Sequence, residues 1–134
     1  MQPATTGTKE SINELAYFCN SASKDAGWWH DPATGVHLLS SPTFAPYVVA
    51  TKILLSVSEL IEAMEGDRKG LMDDKLPHRS MLEVELADAI IRILDLGAEL
   101  NLDVGGAIEE KMGFNKTRPD HQVSNRRKVG GKKY

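Results

Sequence analysis

The sequence has little cysteine, few aromatic residues and no long uninterrupted apolar run. Its single cysteine, Cys19, cannot form an internal disulfide, so we expect a reducing, intracellular setting. The most apolar stretch, residues 87–96, is interrupted by Asp88, Arg92 and Asp95, which argues against a membrane-spanning segment. The opening residues lack the basic and apolar regions of a secretory signal. These absences predict a soluble cytoplasmic protein with no membrane partner.

Charge of one sign is also unevenly distributed along the chain. Residues 122–134 hold five basic residues and no acidic one. The first 121 residues therefore hold 11 basic and 19 acidic residues, a net charge of −8. Such a body repels the nucleic-acid backbone, which argues against nucleic acid as a partner. Its surplus of carboxylates can instead concentrate divalent cations.

The strongest pattern that the sequence does contain is helical periodicity of apolar residues. Four helices are predicted, at about residues 9–26, 47–64, 79–100 and 103–115. The second should end just before Gly66, and the fourth should begin at Asp103, a good N-cap. The third is apolar on most sides, so it should lie between other helices or at a subunit interface. With no β-alternation and no internal repeat, the sequence predicts an all-α fold.

The segments between and around these helices are polar or rich in proline and glycine. Residues 27–46 contain Pro32, Pro42 and Pro46 and predict a long connection with at most short helical turns. Residues 66–77 predict a polar loop. The expected organisation is a flexible N-terminus at residues 1–8, a helical catalytic domain at 9–120 and a basic C-terminal tail at 121–134.

Two pairs of acidic residues are the main candidates for chemistry. Glu59 and Glu62 lie on the second predicted helix, and Glu85 and Asp88 lie on the third. Residues three apart share a helix face, so each helix presents two carboxylates beside its apolar stripe. If these faces pack together, four negative charges converge and require cations. Oxygen-only ligation suits Mg²⁺ or Mn²⁺, with room for more than one ion.

Spacing alone leaves another interpretation open, because acidic pairs are common on solvated helix faces. A di-iron bundle is a further alternative for such acids. It normally adds a Glu-x-x-His on its helices, and no histidine here follows an acidic residue by three on a predicted helix. Iron is therefore disfavoured, whereas solvated pairs and a metal site remain about equal on spacing alone.

The wider pattern resembles a known enzyme family. The segment SELIEA at 58–63 is followed, after 22 residues beyond Glu62, by Glu85-Leu-Ala-Asp88. This resembles the E-x-x-E…E-x-x-D signature of the MazG-like, all-α nucleoside triphosphate pyrophosphohydrolases. Further points of similarity are GWW at 27–29, Lys52, ILDL at 93–96, and Lys111, Asn115 and Arg118 at the end. The resemblance covers roughly residues 10–120 and is closest to short, single-domain phage members.

The resemblance implies a four-helix-bundle-like, oligomeric fold that hydrolyses a nucleoside triphosphate to the monophosphate and pyrophosphate. It implies that Glu59, Glu62, Glu85 and Asp88 bind two or more Mg²⁺ or Mn²⁺ ions. The metals would offset charge on the triphosphate, and a carboxylate would polarise the attacking water. Glu59 is our first choice for that base and Glu62 the second.

The candidate substrate contacts are less specific. Lys52 lies two helical turns before Glu59 and could reach a phosphate or simply face solvent. Lys111, Asn115 and Arg118 form one phosphate-competent stripe if the fourth helix extends that far. The resemblance suggests base contacts from the first helix and the Gly-Trp-Trp turn. The candidates there are Asn13, Trp28 and Trp29, although a tryptophan is more often a core residue.

The predicted partners follow from the same resemblance and from the apolar third helix. We expect a homodimer or homotetramer whose pockets are completed by a neighbouring subunit. A purine, with dGTP first, is the expected substrate, and a phage-encoded member would act in the host cytoplasm. One alternative is a non-catalytic helical module that binds nucleotide or metal. Another is a phosphodiesterase or diphosphatase using the same metals.

Overall fold

The chain is helical throughout the part described by the computed structural model, residues 7–134. The helices are α1 Thr8–Asp25, α2 Ala45–Lys69, α3 Met81–Glu99, α4 Val104–Thr117 and α5 Val123–Arg126, with a 3₁₀ turn at Pro119–His121. Residues 7–134 contain no strand, only two isolated bridges, His30–His37 and Met72–Ser80. The predicted all-α class is therefore confirmed. Of the predicted flexible N-terminus, residues 1–6 lie outside the described residues.

Local capping explains where two of the helices begin. The Ser80 hydroxyl accepts a hydrogen bond from the Glu83 amide at 3.1 Å and caps α3. The Asp103 carboxylate accepts one from the Gly106 amide at 2.9 Å and caps α4, as predicted. Pro46, which the sequence placed in the preceding connection, lies in the first turn of α2. An amide hydrogen is not needed there, so proline is tolerated.

The predicted end of the second helix is wrong. Helix α2 continues through Gly66 to Lys69, and Gly70 caps it in the left-handed conformation with φ of 61°. Gly66 is buried inside the helix because α3 begins against it. A Cβ at Gly66 would lie 2.7 Å from the Cβ of Met81, so only glycine allows this approach. The glycine marks a helix contact and not a helix end.

The described chain forms two compact units. Residues 7–13 and Asp103–Tyr134 form one, and Glu14–Leu102 form the other, so α1 contributes its first turns to one and the rest to the other. In the second unit α2 and α3 pack as an antiparallel pair. Gly66 near the end of α2 meets Met81 at the start of α3, and Glu59 in the middle of α2 binds Arg92 further along α3. The two helices therefore run in opposite directions.

Few apolar side chains of the described residues are buried. They are Ala16, Cys19, Trp29, Ala63, Ala89 and Leu94. Trp29 is the only large side chain among residues 7–134 that is fully enclosed. Many large apolar side chains of α2 and α3 are exposed instead. No helix within these residues is both long and apolar enough to cross a bilayer.

The predicted basic tail contains the short helix α5 and turns back on itself. The Arg126 guanidinium donates hydrogen bonds to the backbone carbonyls of Lys132 and Lys133, at 3.1 and 2.8 Å. Lys132 also forms an ion pair with Asp120. The tail therefore has local structure of its own within its unit.

Candidate functional site

Three carboxylates from α2 and α3 converge in the middle of the helix pair. Glu59, Glu85 and Asp88 each offer an oxygen within 4.8 Å of the others. Glu59 is only 7 % exposed and Glu85 only 9 %. The antiparallel packing produces this arrangement, because it brings the centre of α2 against the first half of α3. We call Glu59, Glu85 and Asp88 the acidic cluster.

One oxygen in the acidic cluster has no partner. Glu85 Oε2 is buried and makes no hydrogen bond within residues 7–134. A buried carboxylate oxygen without a donor is costly, because it has lost its water and gained nothing in return. A divalent cation would satisfy it, and a set of carboxylate oxygens is what Mg²⁺ and Mn²⁺ prefer. The residues of the acidic cluster therefore fit such an ion and could hold one.

Burial and neighbouring negative charges raise the pKa values of two carboxylates in the cluster. Burial, together with the neighbouring carboxylates of Glu59 and Glu62, raises the pKa of Glu85 to about 7. Burial and the charge of Glu59 also raise the pKa of Asp88. Without a cation, Glu85 therefore retains a proton at pH values where an ordinary glutamate is ionised.

Glu59 differs because a guanidinium binds it. Arg92 Nε donates to Glu59 Oε1 at 2.5 Å across the helix pair. Burial alone would raise the pKa of Glu59, but the hydrogen bonds from Arg92 and Glu85 outweigh burial and lower it. The two carboxylates are thus shifted in opposite directions, the pKa of Glu59 downward and that of Glu85 upward.

Glu62, the fourth predicted metal ligand, is not one of the three converging residues. Its side chain is exposed on α2. It nevertheless lies close enough for its charge to raise the pKa of Glu85. Glu62 therefore borders the acidic cluster with its carboxylate accessible to water.

Arg92 was not singled out from the sequence, although a signal for it exists. Counted along α3, the polar residues recur at helical spacing and form one stripe: Glu85, Asp88, Arg92, Asp95 and Glu99. A charged stripe on the side of an apolar helix that faces its neighbour marks polar contacts and not solvent. The stripe could have indicated Arg92 before the structure was known.

The loop between α2 and α3 adds another acid that sequence reasoning passed over. Asp73 is 6 % exposed, and its carboxylate accepts hydrogen bonds from the amides of Lys75 and Leu76 at 3.0 and 2.7 Å. Its negative charge raises the pKa of Asp88, while Lys75 opposes this effect. The loop therefore approaches the acidic cluster at Asp88. Residues 66–77 predicted only a polar loop, and such a loop gives no local sign that one of its acids is buried.

A second polar cluster lies toward the other end of α3. The Asp95 carboxylate accepts hydrogen bonds from Trp29 Nε1 at 2.9 Å and from Asn20 at 3.0 Å. Glu99 accepts from Asn20 at 2.7 Å and contacts His37 Nε2 at 2.7 Å. These bonds fix α1 and the long connection to α3.

Lys52, a predicted phosphate contact, takes part in this second arrangement. Its ammonium lies 4.3 Å from the centre of the Trp29 ring and donates to the backbone carbonyl of Trp28 at 3.1 Å. Burial lowers the pKa of Lys52, partly offset by the charge of Asp95. Trp29 is fully buried, whereas Trp28 is 68 % exposed. Of the two tryptophans predicted to contact a base, Trp28 is the accessible one.

The remaining predicted contacts lie in the other compact unit. Asn13 donates to Asp103 at 2.7 Å and accepts from the Gly105 amide at 2.9 Å, so it joins α1 to the start of α4. Lys111 lies over the Phe114 ring, and Asn115 Oδ1 is buried with no hydrogen-bond partner in the described part of the chain. Helix α4 ends at Thr117, so the condition for a continuous stripe that includes Arg118, a helix extending that far, is not met.

Arg118 follows the helix in an extended conformation and pairs with Asp120. Pro119 explains the break, because it disfavours helical backbone at the residue before it. The roles assigned to Lys52, Lys111, Asn115 and Arg118 on phosphate and to Asn13, Trp28 and Trp29 on the base stay predictions.

The acidic cluster is the arrangement with the clearest chemical capacity. Its three carboxylate oxygens suit a hard cation, and beside them lie the guanidinium of Arg92 and the exposed carboxylate of Glu62, which can take a proton from water. Comparison of the chain with protein-family models, with curated proteins and with solved structures gives no match.

Proposed function

We propose that this chain is a metal-dependent hydrolase of nucleoside triphosphates. The observation that carries the proposal is the acidic cluster, in which Glu85 Oε2 is buried and has no hydrogen-bond partner among residues 7–134. Bringing three carboxylates together, two of them buried, is unfavourable unless something neutralises them. One guanidinium does so only in part, so a further positive charge fits the site.

The reaction follows from the pattern of the acids and the MazG-like resemblance of the surrounding sequence. A water oxygen forms a bond to the α-phosphorus, and the bond from that phosphorus to the bridging oxygen breaks. The products are a nucleoside monophosphate and pyrophosphate. Bound Mg²⁺ or Mn²⁺, two or more ions in the full site, would supply positive charge for the phosphate oxygens. Glu59, Glu85 and Asp88 would hold it, with Glu62 at the border of the site.

The structure changes which residue we favour as the base. Glu59 is engaged by Arg92 and belongs to the acidic cluster. Glu62 lies beside the cluster and is exposed. A carboxylate that is not committed to an ion is freer to take the proton of an attacking water. We therefore place Glu62 first and Glu59 second for this role.

The substrate and the assembly extend the proposal. A purine deoxynucleotide, dGTP first, is the substrate we propose to test before the others. The exposed apolar side chains of α2 and α3 support a homodimer or homotetramer.

The test is a panel of all eight common ribo- and deoxyribonucleoside triphosphates, assayed with Mg²⁺ and with Mn²⁺ for pyrophosphate and for orthophosphate. We expect pyrophosphate with at least one substrate, and its loss when EDTA removes the metal. Glu85→Gln should abolish turnover with the helical circular dichroism spectrum intact. Glu110→Gln, an exposed change on α4, is the matched control and should retain activity.

Orthophosphate without pyrophosphate would replace this proposal with a phosphatase-type activity. Binding of metal and nucleotide without any turnover would favour a non-catalytic binding module.

A further inference from the structure

Arg92 is the one basic side chain in hydrogen-bonding contact with the acidic cluster among residues 7–134. Its Nε lies 2.5 Å from Glu59 Oε1. It stands one turn after Asp88 on α3, in the polar stripe that faces α2. In this position it partly neutralises the carboxylates.

Only part of the guanidinium is used in this contact. The bond to Glu59 runs through Nε, and the two terminal nitrogens donate to no acceptor within the described part of the chain. The Arg92 side chain is 41 % exposed, whereas that of Glu59 is 10 % exposed. The planar fork of terminal N–H groups is thus free for a second anion, and phosphate oxygens match its geometry.

A cation and Arg92 must compete for the same carboxylate. Both are attracted to Glu59, and the cation carries twice the charge. When the cation neutralises the cluster, the ion pair with Arg92 weakens and the guanidinium becomes available to an incoming anion.

We propose that Arg92 is a polyphosphate-binding residue that occupies Glu59 in the metal-free protein and turns to the phosphate chain when a divalent cation binds. This inference rests on the proposed function and adds a residue to it. It makes Arg92 a competitor of the metal and a partner of the nucleotide, two roles with opposite effects on binding.

Because loss of Arg92 should strengthen metal binding and weaken polyphosphate binding, two binding measurements test the proposal without any turnover. Mn²⁺ binding is measured by the electron paramagnetic resonance signal of the free ion. Binding of a base-free probe, the Mn²⁺ complex of inorganic tripolyphosphate, is measured calorimetrically at saturating Mn²⁺. For Arg92→Gln we expect about two- to fivefold tighter Mn²⁺ binding, the scale of a partly exposed ion pair. We expect about tenfold weaker binding of the tripolyphosphate complex, the scale of one charge-assisted contact.

Two further variants keep the test decisive. Arg68→Gln removes an exposed α2 pair with Glu65 and should change neither constant. Arg92→Lys keeps the charge without the planar fork, so it should bind tripolyphosphate more weakly than the parent chain. If Arg92→Gln does not fold, as judged by circular dichroism, Arg92→Lys carries the test.

The outcomes separate this inference from the proposed function. If the parent chain binds both probes and the Arg92 variants bind tripolyphosphate equally well, the assignment of Arg92 is wrong and the function stands. Weaker binding of both probes would show that Arg92 only holds the site together, which also overturns the assignment. If the parent chain binds neither probe, the proposed function fails and this inference fails with it.

Discussion

Glu85 combines burial, an unpartnered oxygen and two acidic neighbours at one position. Its pKa of about 7 lies above the ordinary value of 4.5. Between these two pH values the folded metal-free protein holds a proton that the unfolded chain has released. The free energy of unfolding of the metal-free protein therefore falls as the pH rises from about 4.5 to about 7. Above about 7 Glu85 is ionised in both states, and this group causes no further loss.

Glu85→Gln should remove this dependence, because glutamine does not titrate. With EDTA present, we expect the free energy of unfolding of the variant, relative to that of the parent chain, to be higher at pH 8 than at pH 5 by roughly 1–3 kcal/mol. Urea unfolding at the two pH values measures the difference. Glu110→Gln serves as the control and should show no comparable gain. An equal difference between parent and variant at pH 5 and pH 8 would show that Glu85 is not perturbed.

Substitutions at Glu62 and at Glu85 should distinguish a residue that transfers a proton from one that binds the metal. Glu62 is exposed beside the acidic cluster, whereas Glu85 lies in it. We expect Glu62→Gln to lower turnover by about 100-fold or more, the usual scale for a lost general base, with Mn²⁺ affinity changed far less. Glu85→Gln should weaken both. Turnover near the parent rate in Glu62→Gln would return the role of base to Glu59.

At the scale of elements, the contact between α2 and α3 depends on small residues. Gly66 and Ala63 on α2 are both buried, and Met81 at the start of α3 fills the space over Gly66. We expect Gly66→Ala to destabilise the protein by about 1–3 kcal/mol, because the added methyl forces Met81 or the backbone to shift. Thermal or urea unfolding measures the loss.

Gly113 provides the contrasting substitution. It lies in α4, and a Cβ there would meet nothing within 4 Å. Gly113→Ala should therefore stabilise the protein by about 0.5–1 kcal/mol through the lower entropy of the unfolded chain. If Gly66→Ala stabilised the protein as Gly113→Ala is expected to, the packing role of Gly66 would be refuted.

The sequence predicted the elements better than their contacts. Periodicity located the four long helices, and Asp103 marked the start of α4 because capping is a local property. Gly66 misled because glycine serves both as a helix end and as a close-packing residue, and only the partner, Met81, distinguishes the two.

The same limit applies to the site. Spacing placed Glu59 and Glu85 on the right helices, but Arg92 and Asp73 required knowledge of which helix faces and loops meet. The distinction between Trp28 and Trp29 also depends on burial. Adjacent residues of equal type give no local signal for such a difference.

At the scale of the whole molecule, a single chain buries little apolar surface. The largest buried apolar side chain is Trp29, while α2 and α3 carry apolar stripes that remain exposed. On α2 the exposed stripe is Ile53, Val57, Leu60 and Met64, and on α3 it is Leu86, Ile90 and Ile93. Each residue of a stripe comes directly after a residue that faces the other helix. Leu60 follows Glu59 in this way, and Leu86 follows Glu85. A step of one residue turns the side chain by about 100°, and in antiparallel helices the two steps turn toward the same side of the pair. The stripes therefore form one continuous apolar face.

This face predicts self-association. A contiguous apolar surface on both helices is unfavourable in water, and a second copy of the chain offers a matching one. We expect the parent chain to elute in size-exclusion chromatography with light scattering at a multiple of its 14.7 kDa mass.

Leu60→Glu and Ile90→Glu should shift the measured mass toward that of a single chain, because association would then bury unpaired carboxylates, while circular dichroism remains helical. Val129→Glu, at a fully exposed apolar residue outside this face, should leave the mass unchanged. A parent chain that stays at 14.7 kDa up to its solubility limit would contradict the predicted homo-oligomer without touching the acidic cluster, since that cluster is built from one chain.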